Sequence, residues 1–125
     1  MKNCVFKIQP YKNLIVWQKA MDLVVAVYKL TSQYPKEENY GLVFETRKSA
    51  RSIPSNIAEG KRRLTQKEFC RFLNIAFASG GELETQIEMA KRMPFGKYLD
   101  FREVDQLLSQ VMRMLNKMIS NRTED

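Results

Sequence analysis

The chain is 125 residues long and 44% apolar, and it carries 21 Lys plus Arg against 14 Asp plus Glu, a net charge of +7 with no histidine. That length is one domain, and a chain this long hides roughly two-thirds of its unfolded surface, enough for one core without disulfides. Lack of histidine removes the commonest general base and the commonest zinc ligand, and five Gly with four Pro exclude a collagen-like or low-complexity chain.

Cys4 and Cys70 form no C-x-x-C pair, so neither a zinc knuckle nor a thioredoxin-like motif can be written, and two thiols in a chain with an ample core point to a reducing compartment. The opening MKNCVFKIQPYK lacks the apolar run of a secretory signal, and no stretch approaches the ~18 uncharged residues of a membrane span. The expected location is therefore the cytoplasm.

Residues 1–13 read as an N-terminal arm, whose short alternation at 4–8 is too brief for a sheet of its own. The first helix is predicted over 14–33, where Val16, Trp17, Ala20, Leu23, Val24, Val27 and Leu30 recur at helical spacing before Tyr34-Pro35 stops it. The second runs from about Glu37 to Gly60, with a leaner inward stripe of Leu42, Thr46, Ser49 or Ala50, Ile53 and Ile57. Its internal Pro54 should kink it. Thr65-Gln-Lys-Glu68 is a capping box that opens the third helix. From there Phe69, Leu73, Ala76, Gly80, Leu83, Ile87 and Ala90 form a heptad-like seam to the Met93-Pro94 stop. Asp100-Phe-Arg-Glu103 gives the fourth a similar cap, and Val104, Leu107, Leu108, Val111, Met114, Leu115, Met118 and Ile119 fill one broad face. Residues 121–125 are expected to fray.

Four helices of about twenty residues with short connections favour an antiparallel up-down-up-down bundle over 14–120. Pairing the second and third helices about Arg62 would set Ala76 opposite Lys48 to Ala50, with Gly80 a turn further on. Close approach there would offset the roughly 1 kcal/mol that each of Gly80 and Gly81 costs in a helix interior. The apolar faces of the first and fourth helices exceed what narrow seams consume, which leaves either a broad core or self-association.

Charge is unevenly placed. Residues 1–63 hold 12 Lys/Arg and 5 Asp/Glu, whereas 64–125 hold 9 of each. Between Arg47 and Arg71 eight cations face only Glu59 and Glu68. On a helix Arg47, Lys48 and Arg51 can project from one side, Lys61, Arg62 and Arg63 extend the patch into the turn, and Lys67 and Arg71 carry it onto the third helix. The plain alternative is a solvated face. The functional reading is a grip on phosphates, with Arg supplying forked donors and Lys point charge. Aromatics usable for stacking, among them Tyr11, Trp17, Tyr28, Tyr34, Tyr40, Phe44 and Tyr98, are not separable from core or interface residues by spacing alone. Any nucleic acid is therefore expected to be read by backbone and shape.

Other chemistry is poorly supplied. Glu82, Glu84 and Glu88 would need the histidines of a di-iron pattern, and Glu84 and Glu88 before Lys91 and Arg92 read instead as an exposed ion-pair ladder. Cys70, beside the seam, reads as a small buried residue rather than a nucleophile. Phosphate-cradling and dinucleotide glycine loops are absent. No metal or cofactor is expected, and the chain reads as a non-enzyme.

Tyr40-Gly-Leu, Ser52-Ile-Pro-Ser-Asn-Ile-Ala-Glu-Gly60, Arg63, Glu68-Phe-Cys-Arg-Phe-Leu and Ser79-Gly-Gly-Glu-Leu-Glu-Thr-Gln86 together resemble the four-helix-bundle family encoded in intervening sequences of bacterial large-subunit rRNA genes. Leu14-Ile-Val-Trp17-Gln-Lys-Ala20, Tyr28 and Tyr34-Pro35 fit its first helix. The resemblance implies a homopentamer, association with RNA and no catalytic residues. More distantly the chain is similar to the accessory subunit of diversity-generating retroelements, which implies a reverse transcriptase as an alternative partner and an interaction scaffold as the alternative function. Phe44-Glu45-Thr46 departs from the glutamine that the family pattern places before the basic face. Asn56, Glu59 and Gly60 keep the motif. Gly60 is expected to end the second helix in the left-handed conformation, with Asn56 and Glu59 bonding around the kink or turn first and touching RNA second.

Overall fold

The computed structural model describes residues 10–121. The alternation at 4–8, most of the arm and nearly all of the tail lie outside them. Four helices carry the architecture: α1 (Ile15–Thr31), α2 (Phe44–Lys61), α3 (Gln66–Arg92) and α4 (Arg102–Ser120). A short 3-10 turn, Tyr11–Asn13, precedes α1, two more, Lys36–Glu38 and Pro94–Tyr98, sit in the connections, and a π-helical turn, Asn39–Val43, leads into α2. The second helical stretch thus begins where expected, but its first turns are not α-helical. The Glu38 carboxylate caps the π-helical turn, accepting from the Leu42 N–H at 3.4 Å.

Each helix buries the stripe its period defines. The α3 seam from Phe69 to Ala90 is buried at every one of its seven positions. In α1, Val16, Ala20, Leu23, Val27 and Leu30 are buried; in α4, Val104, Leu108, Val111 and Leu115 are. The surplus apolar residues divide. Leu107, Met112, Met114, Met118 and Ile119 of α4 pack against the core, whereas Met21 and Val25 of α1 stay exposed, Val25 at 63%.

α1 packs on α2 and α4, and α3 packs on α2 and α4, with the α2–α3 contact the most extensive. That contact is close because of Gly60. A Cβ at this position would stand 2.7 Å from Phe72 Cβ and 3.2 Å from both Phe69 Cδ1 and the Phe69 carbonyl. No glycine among the described residues has a positive φ, which corrects the left-handed end expected at Gly60. It is a helical residue whose missing side chain admits α3, and α2 closes one residue later, with Arg62 N–H reaching the Ala58 and Glu59 carbonyls.

The register also differs from expectation. Ser52 and Ser79 hydroxyls meet at 2.7 Å, so Ala76 faces the stretch between Ser52 and Gly60 rather than Lys48 to Ala50. Gly80 turns to α4, where an added Cβ would overlap Met112 Sδ, and Gly81 has nothing within 4 Å, so close packing explains the first glycine and not the second.

The helix starts follow their caps only in part. Thr65 Oγ1 accepts from the Glu68 N–H at 3.1 Å, but the Glu68 carboxylate is bound by Arg71 instead of closing the box. At α4, Asp100 accepts from the Arg102 N–H at 3.0 Å and also grips the Arg102 guanidinium, which holds its carboxyl at about 2, well below the ordinary range. Cys70 is buried, as expected of its place beside the seam.

Candidate nucleic-acid interface

The short link between α2 and α3 concentrates cations because both helix ends deliver them there. Arg63 N–H bonds the Gly60 carbonyl at 3.0 Å, tightening the last turn of α2, and Thr65 takes an extended conformation that redirects the chain into α3. Lys61, Arg62, Arg63, Lys67 and Arg71 therefore share one end of the molecule, with Leu64 almost fully exposed at its tip.

Phe72 organises this end. Its ring lies beneath two guanidinium groups, with Arg63 Cζ at 4.8 Å and Arg71 Cζ at 4.6 Å from the centroid. Lys61 Nζ sits 5.3 Å above the Phe69 ring, and burial pushes its ammonium pKa down. Arg62 leaves the other way, 4.9 Å over Tyr11. Aromatic faces hold each cation in place without neutralising it.

Among the described residues, two carboxylates oppose the five cations. Glu59 pairs with Arg63 at 2.9 Å and Arg62 at 3.8 Å. Glu68 pairs with Arg71 at 3.2 Å, and that hydrogen bond lowers its pKa, with weaker help from the charges of Arg63 and Lys67. These exposed pairs contribute little to stability. They orient the guanidinium forks and leave the end net positive.

The three cations further up α2 do not project from one side as the spacing suggests. Arg47 is a strap to α1: its Nε donates to Thr31 Oγ1 at 2.8 Å, its Nη2 to the Tyr28 carbonyl at 3.3 Å, and its guanidinium lies 4.3 Å over the Tyr28 ring. Arg51 is exposed and donates to Tyr28 Oη at 2.8 Å. Lys48 instead borders α3, at a hollow of about 590 Å³ that it shares with Glu45, Ser49, Ser52, Gly81, Glu82 and Thr85. The reason is helical phase: Tyr28 of α1 collects Arg47 and Arg51, and Lys48 is turned away from it toward α3.

Asn56 bonds within α2 one turn back, whereas Glu59 pairs with the arginines of the turn. Asn56 Nδ2 donates to the Ser52 carbonyl at 2.8 Å and to Ser52 Oγ at 3.0 Å, which ties the helix beside Pro54 to the Ser52–Ser79 contact. Sequence reading missed Phe72 as the platform for two arginines. Its signal was the Phe69–Phe72 spacing directly after a cap and opposite a helical glycine. Of the aromatics left open, Tyr34 is buried, while Tyr40, Phe44 and Tyr98 are exposed.

Glu88 takes part in the expected ladder, with Lys91 at 3.3 Å and Arg92 at 4.0 Å, and Lys91 also reaches Asp105 of α4 at 2.7 Å. Among the described residues no group of three or more His, Cys, Asp or Glu side chains is placed to hold a metal ion. None of the described helices is long and apolar enough to cross a membrane.

A family model described as 23S rRNA-intervening sequence protein matches residues 12–117. The chain belongs to that family. The match takes in all of the helical core except the last residues of α4, and it includes every cation of the α2–α3 turn. Comparison with curated proteins gave no match.

Proposed function

We propose that this intervening-sequence protein is a non-enzymatic, RNA-associated antiparallel four-helix bundle that holds phosphate backbone with the α2–α3 turn. The observation that carries the reading is five cations at one end opposed by two carboxylates, with three of them set over Phe69 and Phe72. Lys61, Arg62, Arg63, Lys67 and Arg71 form the main contact, and Lys48 and Arg51 extend it along α2. Arg47 serves chiefly as the strap to α1. The antiparallel order is supported by pairs whose numbers run in opposite directions, Gly60 with Phe69 and Phe72, then Ser52 with Ser79.

Self-association into a ring of five belongs to the same reading. Met21 and Val25, four apart on α1, supply an apolar stripe that a second copy would cover. Five basic ends on one particle would act together, each bound end raising the effective concentration of the next.

A titration of fluorescent RNA at ~50 and ~200 mM salt tests the binding, because neutralising several phosphates makes affinity fall steeply with salt. Arg62→Gln with Arg63→Gln should weaken binding and flatten the salt slope. No binding at low salt, or equal binding at both, removes the proposal. Light scattering on a sizing column gives the number of copies.

A further inference from the structure

Tyr40 and Phe44 stand about one helical turn apart on the outer side of the π-helical turn and the start of α2, and they are 97% and 48% exposed. Neither ring takes part in a ring or cation contact among the described residues. Large apolar faces on successive turns are costly to leave in water, and a pair of them in register is an unused surface. Two cations flank the continuation of this helix face: Lys48, four residues beyond Phe44, on the α3 side and Arg51, seven beyond it, on the α1 side, both exposed. Arg51 is steadied by Tyr28 Oη at 2.8 Å. The Lys48 Nζ has no ion pair among the described residues, although Glu45 on the same helix and Glu82 of α3 border the hollow it shares.

Two stacking faces followed by two cations match a strand that alternates flat bases with phosphates. We infer that Tyr40 and Phe44 stack on consecutive unpaired bases of an RNA single strand while Arg51 and Lys48 hold its flanking phosphates. A duplex cannot use the rings, since its bases are already stacked inside the helix and its major groove is too deep and narrow for side chains. A peptide partner would find the rings equally attractive, but the adjoining positive charge favours a polyanion. This deepens the RNA-associated reading and rests on it. It moves the expected recognition from backbone alone to backbone plus bases.

The test compares three fluorescent probes on the intact protein: a twelve-nucleotide uridine RNA, an abasic ribose-phosphate strand of the same length, and a duplex. The uridine strand should bind about tenfold or more tighter than the abasic one, in line with the affinity that base–aromatic stacking adds. Tyr40→Ala, and Tyr40→Ala with Phe44→Ala, should remove that difference while leaving the salt slope in place. Tyr40 is exposed enough that its single variant keeps the fold, which a melting curve checks. If uridine and abasic strands bind alike, the inference is wrong and the phosphate grip stands. Failure of all three probes to bind takes down both readings. A fall in particle mass in the aromatic variants would assign the rings to a contact between copies and overturn the inference.

Discussion

Three glycines on the two central helices offer the same substitution in three different surroundings. Glycine to alanine inside a helix gains about 1 kcal/mol from propensity. At Gly81 an added Cβ meets nothing within 4 Å, so Gly81→Ala should show that gain undiminished. At Gly60 the new methyl would stand 2.7 Å from Phe72 Cβ and 3.2 Å from the Phe69 carbonyl, atoms fixed to the α3 backbone. Relief requires α3 to move outward along the most extensive contact in the molecule, an overpacking cost of about 1–3 kcal/mol that outweighs the propensity gain. Gly80→Ala falls between, because the group in its way is the end of a flexible methionine side chain, Met112. Thermal melts at one fixed protein concentration should therefore rank the variants Gly81→Ala, Gly80→Ala, Gly60→Ala from most to least stable. The outer two should be separated by the overpacking cost alone, about 4–12 °C at about 4 °C per kcal/mol for a domain of this size. A Gly60→Ala protein as stable as the Gly81→Ala protein would refute the argument that the glycine sets the helix separation.

Tyr34 is buried, its hydroxyl has no hydrogen-bond partner among the described residues, and burial pushes its pKa up to about 12. The folded state favours the neutral phenol, so this group's contribution is full below pH 10 and is lost as pH rises toward 12; Tyr34→Phe should flatten the alkaline limb of a stability–pH curve and leave stability at pH 7 unchanged or up to about 1 kcal/mol higher. Arg47→Met should cost about 1–3 kcal/mol in urea melts by leaving Thr31 and Tyr28 without their bonds, with less than a twofold change in RNA affinity, while Arg62→Gln does the reverse. Ser52→Ala should cost about 1–2 kcal/mol, and adding Ser79→Ala should cost less than the sum of the two single changes, as a double-mutant cycle of stability will measure.

Periodicity made the fold legible. The α3 seam is readable because steps of four and three leave a single face for Phe69 through Ala90, and no tertiary detail is needed to place it. The register of α2 against α3 is a different kind of information. It depends on which small residue meets which ring, and Gly60 against Phe69 and Phe72 decides it, whereas the Gly80-Gly81 pair looked equally suitable in the sequence. The left-handed turn expected at Gly60 failed for the same reason: a glycine at a helix end has two uses, and only the neighbouring helix selects between them.

The basic cluster was legible as a region and not as a surface. Proximity in sequence gathered Lys61 to Arg71 correctly around the turn, since the link is too short to separate them. Along α2 the grouping broke because α1 supplies Tyr28 and Thr31, which capture Arg47 and Arg51 and leave Lys48 toward α3. Exposure of Tyr40 and Phe44 was equally hidden, as a π-helical turn alters the phase of the residues leading into α2.

α3 spans 27 residues, about 40 Å, and its two ends differ in electrical character. The surplus cations lie where it starts, whereas near its finish Lys91 with Glu88 and Asp105, Arg102 with Asp100, and Lys29 with Glu103 close on one another. The described residues thus form a lengthwise dipole in a chain that is also a net cation. In the field of a polyanion such a body feels a torque before it feels a contact, so it should arrive turn first and remain tethered by that tip, with its far end held outward.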